Sequence, residues 1–338
     1  MENITLLGID IAKNIFQLHG TNCFGKPLLR KKLTRAKLFE YIAKLPSCTI
    51  VMEACGGAHY LARRFKIFGH EVKLIGPQFV KPFVKTNKND MNDAEAITEA
   101  ASRKTMRYVT PKTVEQQQKQ TLLKFRDGYI RMRTEVVNRI RGLLLEYGVV
   151  ITVGIRSVRS NLPFIIEDAS NELTPLLRKL IQDAYEELLR LDEKINEYDK
   201  MILIQVKANE KCQRLLKVPG VGNIGATILS SLDGEFHSFK RGRDFAAYLG
   251  LVPRQNSSGG KHKLLGISKR GNTYIRTILV HGARAALRFA EGKEDKLHQW
   301  AFKLKHRIGT NKAIVALANK LARIVWAMMT SGKDYQVA

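Results

Sequence analysis

The chain has 338 residues, and its 57 Lys and Arg outnumber its 31 Asp and Glu to give a formal net charge of +26. That length allows two or more domains with their own cores, and so large a basic excess favours a polyanionic partner, above all nucleic acid, over neutral small molecules. We expect a soluble cytoplasmic protein with no membrane partner, because we find no apolar run near the roughly 18 to 20 residues of a spanning helix and no secretory pattern at the N-terminus.

The first hundred residues alternate between strand and helix patterns. The strand patterns are NITLLGID, NIFQLHG, PLLRKKL, CTIVMEA and EVKLIGP. The helix patterns are RAKLFEYIAKL, AHYLARRFKIFG and MNDAEAITEAASRK. Three early strands followed by alternating strands and helices predict an α/β domain with a mixed sheet, which we place over residues 1–110.

Long helices are predicted from about Val114, and we assign residues 111–208 to a helical region. One apolar helix face carries Leu122, Phe125, Tyr129, Met132, Val136, Ile140, Leu143 and Tyr147. A second face, with heptad spacing, carries Ile181, Ala184, Leu188, Leu191, Ile195, Tyr198 and Ile202. Two interpretations stay open: an antiparallel hairpin within the chain, or a coiled coil that pairs two subunits.

A third, mainly helical region is predicted over residues 209–338. It opens with LLKVPGVGNIGATILSSL, where Gly220 and Gly222 lie between two helix patterns as in the turn of a helix-hairpin-helix, whose amides can hold a phosphate. An ordinary helix connection explains the same turn. From His237 to Arg288 there are eleven Lys or Arg and one acid, Asp244, which predicts a phosphate-binding surface. The candidate nucleic-acid contacts are Arg254, Lys261, Lys263, Lys269, Arg270, Arg276, Gly220 and Gly222.

Four acids of the first region form the main candidate site. Asp10 and Glu53 each close an apolar strand pattern, and Asp90 and Asp93 lie three apart, on one face, at a helix start. Carboxylates gathered in one pocket repel one another unless a cation enters, and hard oxygen ligands select Mg²⁺ or Mn²⁺. A pair of such ions can activate an attacking oxygen in phosphoryl transfer.

Each acid also has a simpler explanation. Asp90 and Asp93 fit a helix-capping pair, and Glu53 before ACGG fits a loop. The motif GIDIAK around Asp10 is similar to the first phosphate loop of sugar kinases, although no second glycine-rich phosphate segment follows it.

A second candidate site lies in GLVPRQNSSGGKHKLLGISKRGNTYIR, where Ser257 and Ser258 precede two glycines. Such a loop is usually a flexible phosphate-binding segment. The alternative is a serine nucleophile that attacks a phosphodiester, which needs a base or a metal to activate it. Only His262 offers a base within the motif, so the metal of the first region is the other source.

These motifs resemble, over essentially the whole chain, the DEDD transposases of the IS110 insertion-sequence family, in its IS1111 branch. GIDIAK, VMEACGG, NKNDMNDAEAI, VPGVGNIGAT and AAYLGLVPRQNSSGGKHKLLGISKRGNTYIRTILVHGARA stand in the family's order. The resemblance implies a RuvC-like, RNase H-like first domain whose metal-binding acids are Asp10, Glu53, Asp90 and Asp93. It also implies a C-terminal transposase domain whose catalytic serine is Ser258, with Ser257 as the alternative register.

The same resemblance implies an activity and its partners. The chain is expected to recombine double-stranded donor and target DNA, guided by a noncoding bridge RNA, through a phosphoserine link and a Holliday junction. It is further expected to work as a homodimer or homotetramer joined by the coiled coil, with one active site shared between subunits, in the prokaryotic cytoplasm at the nucleoid. The DNA target sequence is not encoded in the side chains, because RNA base pairing would carry it.

Two other functions stay open at this point. A RuvC-like junction nuclease would use the same acids with water as the nucleophile. A non-catalytic nucleic-acid-binding scaffold would use the acids only for structure. A covalent protein–DNA adduct separates the recombinase from the nuclease.

Overall fold

The N-terminal part of the chain is built on a mixed β-sheet. The computed structural model describes residues 3–85 and 90–337, without the side chain of residue 90. Within these residues the sheet has six strands: β1 (Leu6–Ile11), β2 (Ile15–Thr21), β3 (Pro27–Thr34), β4 (Thr49–Glu53), β5 (Glu71–Ile75) and β6 (Tyr108–Val109). Their order is β3-β2-β1-β4-β5-β6. β1 pairs antiparallel with β2 and parallel with β4, and β4 pairs parallel with β5.

Helices cover both faces of this sheet. They are α1 (Arg35–Lys44), α2 (Ala58–Ile67), α3 (Pro77–Val80) and α4 (Asp90–Ser102). On one face, Leu38 of α1 and Phe65 of α2 pack in a core with Ile9 of β1. On the other, Ile97 of α4 packs with Val51 of β4. On β4, Ile50 and Met52 enter the first core and Val51 enters the second, as period-two geometry requires.

The five predicted strands and three predicted helices of this region are confirmed as β1 to β5 and as α1, α2 and α4. The four-residue helix α3 and the two-residue strand β6 were not predicted. Elements this short carry no measurable periodicity. The unit contains the residues up to Val114 together with Gly234–Lys240, a segment contributed by a later part of the chain.

The second unit contains Glu115–Asp233 and the residues from Arg241 onward, and it is mostly helical. Its helices are α5 (Val114–Glu146), α6 (Ile155–Glu167), α7 (Pro175–Lys207), α8 (Glu210–Leu216), α9 (Asn223–Ser230), α10 (Gly242–Tyr248), α11 (Thr273–Arg288), α12 (Lys296–Ile308) and α13 (Thr310–Ser331). A two-stranded hairpin of β7 (Pro253–Gln255) and β8 (Leu264–Ile267) interrupts them. The predicted change from a mixed α/β region to a helical one is confirmed.

The long helices α5 and α7 pack antiparallel to each other within one chain. Two ion pairs show the register, because Arg126 pairs with Asp199 and Arg133 pairs with Asp192. The predicted face of α7 is largely buried, but the predicted face of α5 is buried only in its second half. Phe125, in the first half, is 56% exposed.

The last helix of the chain is more apolar than we expected from the sequence. Over Thr310–Ser331 it is long and apolar enough to cross a membrane by length and composition alone. Leu317, Leu321 and Val325 on this helix are fully buried or nearly so in the second unit. Packing against α10, α11 and α12 accounts for its apolar sequence.

Candidate active site

Asp10 and Glu53 lie at the same edge of the sheet, on neighbouring parallel strands. Ile9 of β1 is paired with Met52 of β4, so the next residue on each strand is one of the two acids. The side chains of Ile9 and Met52 enter the core under α1 and α2. Because side chains alternate along a strand, Asp10 and Glu53 both face the opposite side of the sheet, where α4 packs.

Gly8 lets α4 approach this side of the sheet closely. A Cβ atom at Gly8 would lie 2.7 Å from the carbonyl oxygen of Ala94 and 2.9 Å from a methyl group of Thr98, so α4 and β1 touch without an intervening side chain. The hydroxyl of Thr98 also shares a 2.7 Å hydrogen bond with Nδ1 of the buried His19 on β2. These contacts fix the helix that carries Asp93 over the strand that carries Asp10.

The electrostatics of Glu53 show that three of the predicted acids are near one another. Burial raises the pKa of Glu53 above its ordinary value, and the carboxylates of Asp10 and Asp93 raise it further. The pKa of the nearby Cys55 thiol is also raised, by burial first and then by Glu53 and Asp10. This edge of the sheet therefore disfavours further negative charge and favours a cation.

The donor set fits a hard divalent cation, since carboxylate oxygens are the ligands that Mg²⁺ and Mn²⁺ prefer. The side chain of Asp90, the fourth predicted ligand, lies outside the described residues, and only the backbone of its position in α4 is defined. Among the side chains that are described, no group of three or more His, Cys, Asp or Glu is arranged to hold a metal ion. The placement of Asp10 and Glu53 on neighbouring strands, on the side of the sheet that α4 approaches closely, is the observation that favours a cation here.

Ser258 lies at the tip of a hairpin that projects from the second unit. Gly259 and Gly260 form the two-residue turn, with φ of 54° and 77°, and Lys261 N–H donates to the carbonyl of Ser258. Positive φ at both central positions is typical of a tight hairpin turn. Every residue from Pro253 to Leu264 is exposed. We call Pro253–Ile267 the serine arm.

The two candidate serines differ in their hydrogen bonding. The hydroxyl of Ser257 accepts from Nε2 of Gln255 at 3.0 Å and from the backbone N–H of Lys263 at 3.3 Å. Among the described contacts, the hydroxyl of Ser258 has no partner. Ser257 thus stabilises the arm, and Ser258 presents an exposed, uncommitted hydroxyl at its tip.

The predicted nucleic-acid contacts fall into an exposed group and one buried residue. The exposed basic residues are Arg254, Lys261, Lys263, Lys269 and Arg270. Arg276, by contrast, is only 8% exposed. Its guanidinium donates to the backbone carbonyls of Leu249 and Arg270 and to the hydroxyl of Thr273, so its hydrogen-bonding groups face the protein in this structure.

The two glycines of the predicted helix-hairpin-helix turn have different surroundings. A Cβ at Gly220 would lie 2.3 Å from the carbonyl oxygen of Gly282 on α11, so Gly220 is needed for close packing of two backbones. Gly222 precedes the first residue of α9 and has open space around its Cα. Only Gly222 leaves room there for a phosphate to approach the helix terminus.

Three glycines important to these sites were missed by the sequence reasoning. They are Gly8, Gly250 and Gly271. Gly250 precedes the serine arm and Gly271 follows it. A Cβ at Gly250 would lie 2.4 Å from the carbonyl oxygen of Arg270, and a Cβ at Gly271 would lie 1.8 Å from that of Tyr248. An isolated glycine inside a strand pattern, as in LLGID, is the signal that could have revealed Gly8. The acids belong to the first unit, and Ser258 and the basic residues to the second.

Comparison with known proteins gives the family. The sequence profile of the transposase IS116/IS110/IS902 family matches residues 212–299, and that of an IS110 transposase of the DEDD type matches residues 7–149. The transposase for insertion sequence element IS1111A of Coxiella burnetii is 48% identical over 336 residues, covering 99% of this chain and 92% of that protein. The transposase for IS1328 of Yersinia enterocolitica is 42% identical and covers 98% of each chain.

The acid-bearing mixed sheet and the basic helical unit, matched in this way over both regions, define a DNA transposase, an enzyme that acts on DNA. The chain belongs to the IS116/IS110/IS902 transposase family. Its DEDD-type domain indicates the use of a divalent metal ion. The resemblance stated from the motifs is thereby confirmed.

Proposed function

We propose that this transposase cuts and rejoins double-stranded DNA by a serine mechanism that depends on Mg²⁺ or Mn²⁺. The observation that carries the proposal is the presence of two features in one chain: Asp10 and Glu53 side by side at one edge of the sheet, and an exposed arm with Ser258 at its tip. A covalent protein–DNA link needs both features. The acids cannot form that link themselves, and the serine has no base among its described contacts.

In the proposed reaction, Oγ of Ser258 attacks a DNA phosphorus atom. A Ser258 Oγ–P bond forms, the P–O bond to one strand breaks, and the released sugar oxygen takes up a proton as serine loses one. The hydroxyl of a second strand then attacks the phosphoserine, which restores the serine and joins the strands. Both steps exchange one phosphodiester for another, so no external energy source is needed.

The acids Asp10, Glu53, Asp90 and Asp93 would hold the metal. A bound divalent cation supplies charge stabilisation at phosphoryl oxygens and lowers the pKa of an attacking hydroxyl. The strand order of the first unit, with three antiparallel strands followed by parallel neighbours and acids at the ends of β1 and β4, supports a RuvC-like, RNase H-like fold.

The substrates and partners in this proposal are donor and target duplexes, a noncoding bridge RNA and further copies of the chain. The exposed basic residues of the serine arm, together with Lys269 and Arg270, support contacts to phosphates. We place a transposase domain at 209–338, with Gly222 at a helix-hairpin-helix-like turn, after a helical region at 111–208. Strand exchange would pass through a Holliday junction in the cytoplasm, at the nucleoid.

Contact between subunits is proposed along the helical region. The side chains of Phe125 and Met132 lie on the predicted apolar face of α5 and stay 56% and 45% exposed, although the ring of Phe125 stacks on Tyr198 of α7. Apolar side chains repeated on one helix face favour a coiled coil with a second helix. A homodimer or homotetramer follows from this part of the proposal.

The experiment that tests the nucleophile is a denaturing gel with end-labelled DNA and Mg²⁺. Wild-type protein should retain labelled DNA covalently, and Ser258→Ala should retain none. A second candidate is a hydrolytic junction nuclease, which is favoured by the presence of the acids in a unit separate from Ser258. Cleavage without any adduct, by both proteins equally, would establish that alternative.

The role of RNA is tested separately. The DNA that flanks the gene should encode a segment able to fold into loops complementary to both the element ends and the target. Recombination in vitro should need that RNA and should follow changes in its loops. Recombination of the same substrates without RNA would contradict this part of the proposal.

A further inference from the structure

The serine arm is held at its base by one buried side chain. Nη1 of Arg276 donates to the carbonyl of Leu249 at 3.0 Å and to the carbonyl of Arg270 at 2.9 Å. Leu249 lies before the arm and Arg270 lies after it. A single nitrogen thus bridges the two ends of the loop that carries Ser258.

The rest of the guanidinium is fixed as well. Nη2 donates to the hydroxyl of Thr273, in the first turn of α11, at 3.0 Å. The planar guanidinium therefore ties the arm to the start of α11. A Lys ammonium keeps the charge but offers one nitrogen in place of this fork.

Two glycines pack backbone against backbone where the two ends of the arm meet. Gly250 and Gly271 have φ of 71° and 75°, and each lies so close to the backbone of the other end of the arm that neither position has room for a side chain. The backbone N–H groups of Ser268 and Lys269 donate across the same base to the carbonyls of Val252 and Gly250. These hydrogen bonds and close backbone contacts hold the two ends of the arm together, and the exposed tip extends from them.

We propose that Arg276 is a positioning residue for the Ser258 nucleophile and does not contact nucleic acid. It sets the direction in which the serine arm leaves the second unit, through the carbonyls of Leu249 and Arg270. This inference deepens the proposed function and rests on it. Misplacement of a nucleophile by about 1 Å can cost about 10²-fold in rate.

The test compares Arg276→Met and Arg276→Lys with Arg178→Met. Arg178 is a matched control, because its guanidinium also donates to backbone carbonyls, those of Ile166 and Asp168, but in a loop without a candidate serine. The readouts are the rate of DNA adduct formation, DNA affinity as a function of salt, and amide hydrogen exchange at Ser268 and Lys269.

We expect Arg276→Met to lower the adduct rate about 10²-fold and to speed exchange at Ser268 and Lys269, with an unchanged salt dependence of DNA binding. Arg276→Lys should also fall well short of the wild-type rate although the charge is kept. Arg178→Met should match wild type in all three readouts.

Three results would overturn the inference. If Arg276→Met reduced the slope of log K for DNA binding against log salt by about 1, Arg276 would be a phosphate ligand. Full activity of Arg276→Lys would show that the charge alone matters. Equal losses in Arg178→Met and Arg276→Met would indicate general destabilisation. If Ser258→Ala still formed adducts, the proposed nucleophile would be wrong, but hydrogen exchange would still report whether Arg276 holds the arm.

Discussion

A Cβ atom on Gly8 would lie 2.7 Å from the carbonyl oxygen of Ala94, so the central strand β1 and helix α4 meet backbone to backbone. Asp10 lies two residues after Gly8 on the same face of the strand, and Asp93 directly precedes Ala94. This one contact therefore sets the distance between acids that come from parts of the chain more than eighty residues apart.

Gly8→Ala should separate these acids. The added methyl group has to push α4 away from β1, and overpacking of this kind costs about 1–3 kcal/mol of stability. We expect strand cleavage to fall more than stability alone explains, measured at a temperature where the variant is fully folded. Gly142→Ala on α5, where nothing lies within 4 Å of the new Cβ, is the control. Normal cleavage by folded Gly8→Ala would remove α4 from the site.

Asp10→Asn should leave the fold intact and abolish strand cleavage in Mg²⁺. The substitution removes one anionic ligand at nearly constant volume, and it also removes one source of repulsion on Glu53. Cleavage of labelled DNA and circular dichroism are the measurements. Glu40→Gln, an exposed acid of α1 in the same unit, should behave as wild type. Wild-type recombination by Asp10→Asn would show that the metal-site assignment is wrong.

Glu53 should make the metal-free protein less stable as pH rises. Its pKa is raised above the ordinary value of 4.5, so the folded state holds this proton more tightly than the unfolded chain does. The stabilisation is complete below 4.5 and is lost as pH rises through the raised pKa. In EDTA, the melting temperature of Glu53→Gln minus that of wild type should therefore increase as pH is raised from 4 to 7.

Adding a divalent metal ion should make wild type the more stable of the two proteins. A ligand that binds only the folded state at 100 times its Kd stabilises by about 2.7 kcal/mol. Mg²⁺ should thus raise the melting temperature of wild type at pH 7 and have little effect on Glu53→Gln. An equal response of both proteins to Mg²⁺ would place the cation elsewhere.

The sequence was sufficient for the strands and for the acids at their ends, because apolar alternation and a terminal carboxylate are local signals. Contacts between distant segments were not predictable from local signals. The approach of α4 to Gly8 depends on a helix far along the chain, and a count of basic residues could not separate buried Arg276 from its exposed neighbours. Helix α6 lies within the region predicted to be helical but was not predicted as a separate element; it contains Pro163, which is normally unfavourable inside a helix.

Replacing both Lys269 and Arg270 by Ala should flatten the salt dependence of DNA and RNA binding. Each lost phosphate contact lowers the slope of log K against log salt by about 0.9 on duplex DNA, so the double variant should lose about 2. The positive φ of Lys269 is equally strained for Ala, and its backbone N–H still donates to Gly250. Lys179→Ala with Lys194→Ala, on α7, removes the same charge as a control. An unchanged slope would exclude this pair from the binding surface.

Ser258→Ala and Asp10→Asn should each be inactive alone but should restore activity when mixed. Ser258→Ala loses one hydroxyl that has no partner among the described contacts, so binding of RNA, DNA and Mg²⁺ should persist without adduct formation. Asp10→Asn keeps an intact serine arm. If one active site takes its acids from one subunit and its serine from another, a mixed oligomer contains a site in which both halves are wild type.

The expected yield of that mixture follows from counting subunits. In a dimer assembled at random from equal amounts of the two variants, about half of the dimers are mixed, and each of these has one intact site out of two. A C2 dimer uses the same surface of both subunits, so mixed and unmixed dimers should form equally well. If subunits exchange freely and sites act independently, activity should therefore approach about a quarter of wild type. Asp10→Asn mixed with Glu53→Gln is the control, because every chain then lacks one of the acids and no combination of subunits contains an intact site. If the first mixture stays inactive while wild type works under the same conditions, acids and serine act within one chain; if Ser258→Ala alone joins DNA and Ser257→Ala does not, the nucleophile is Ser257.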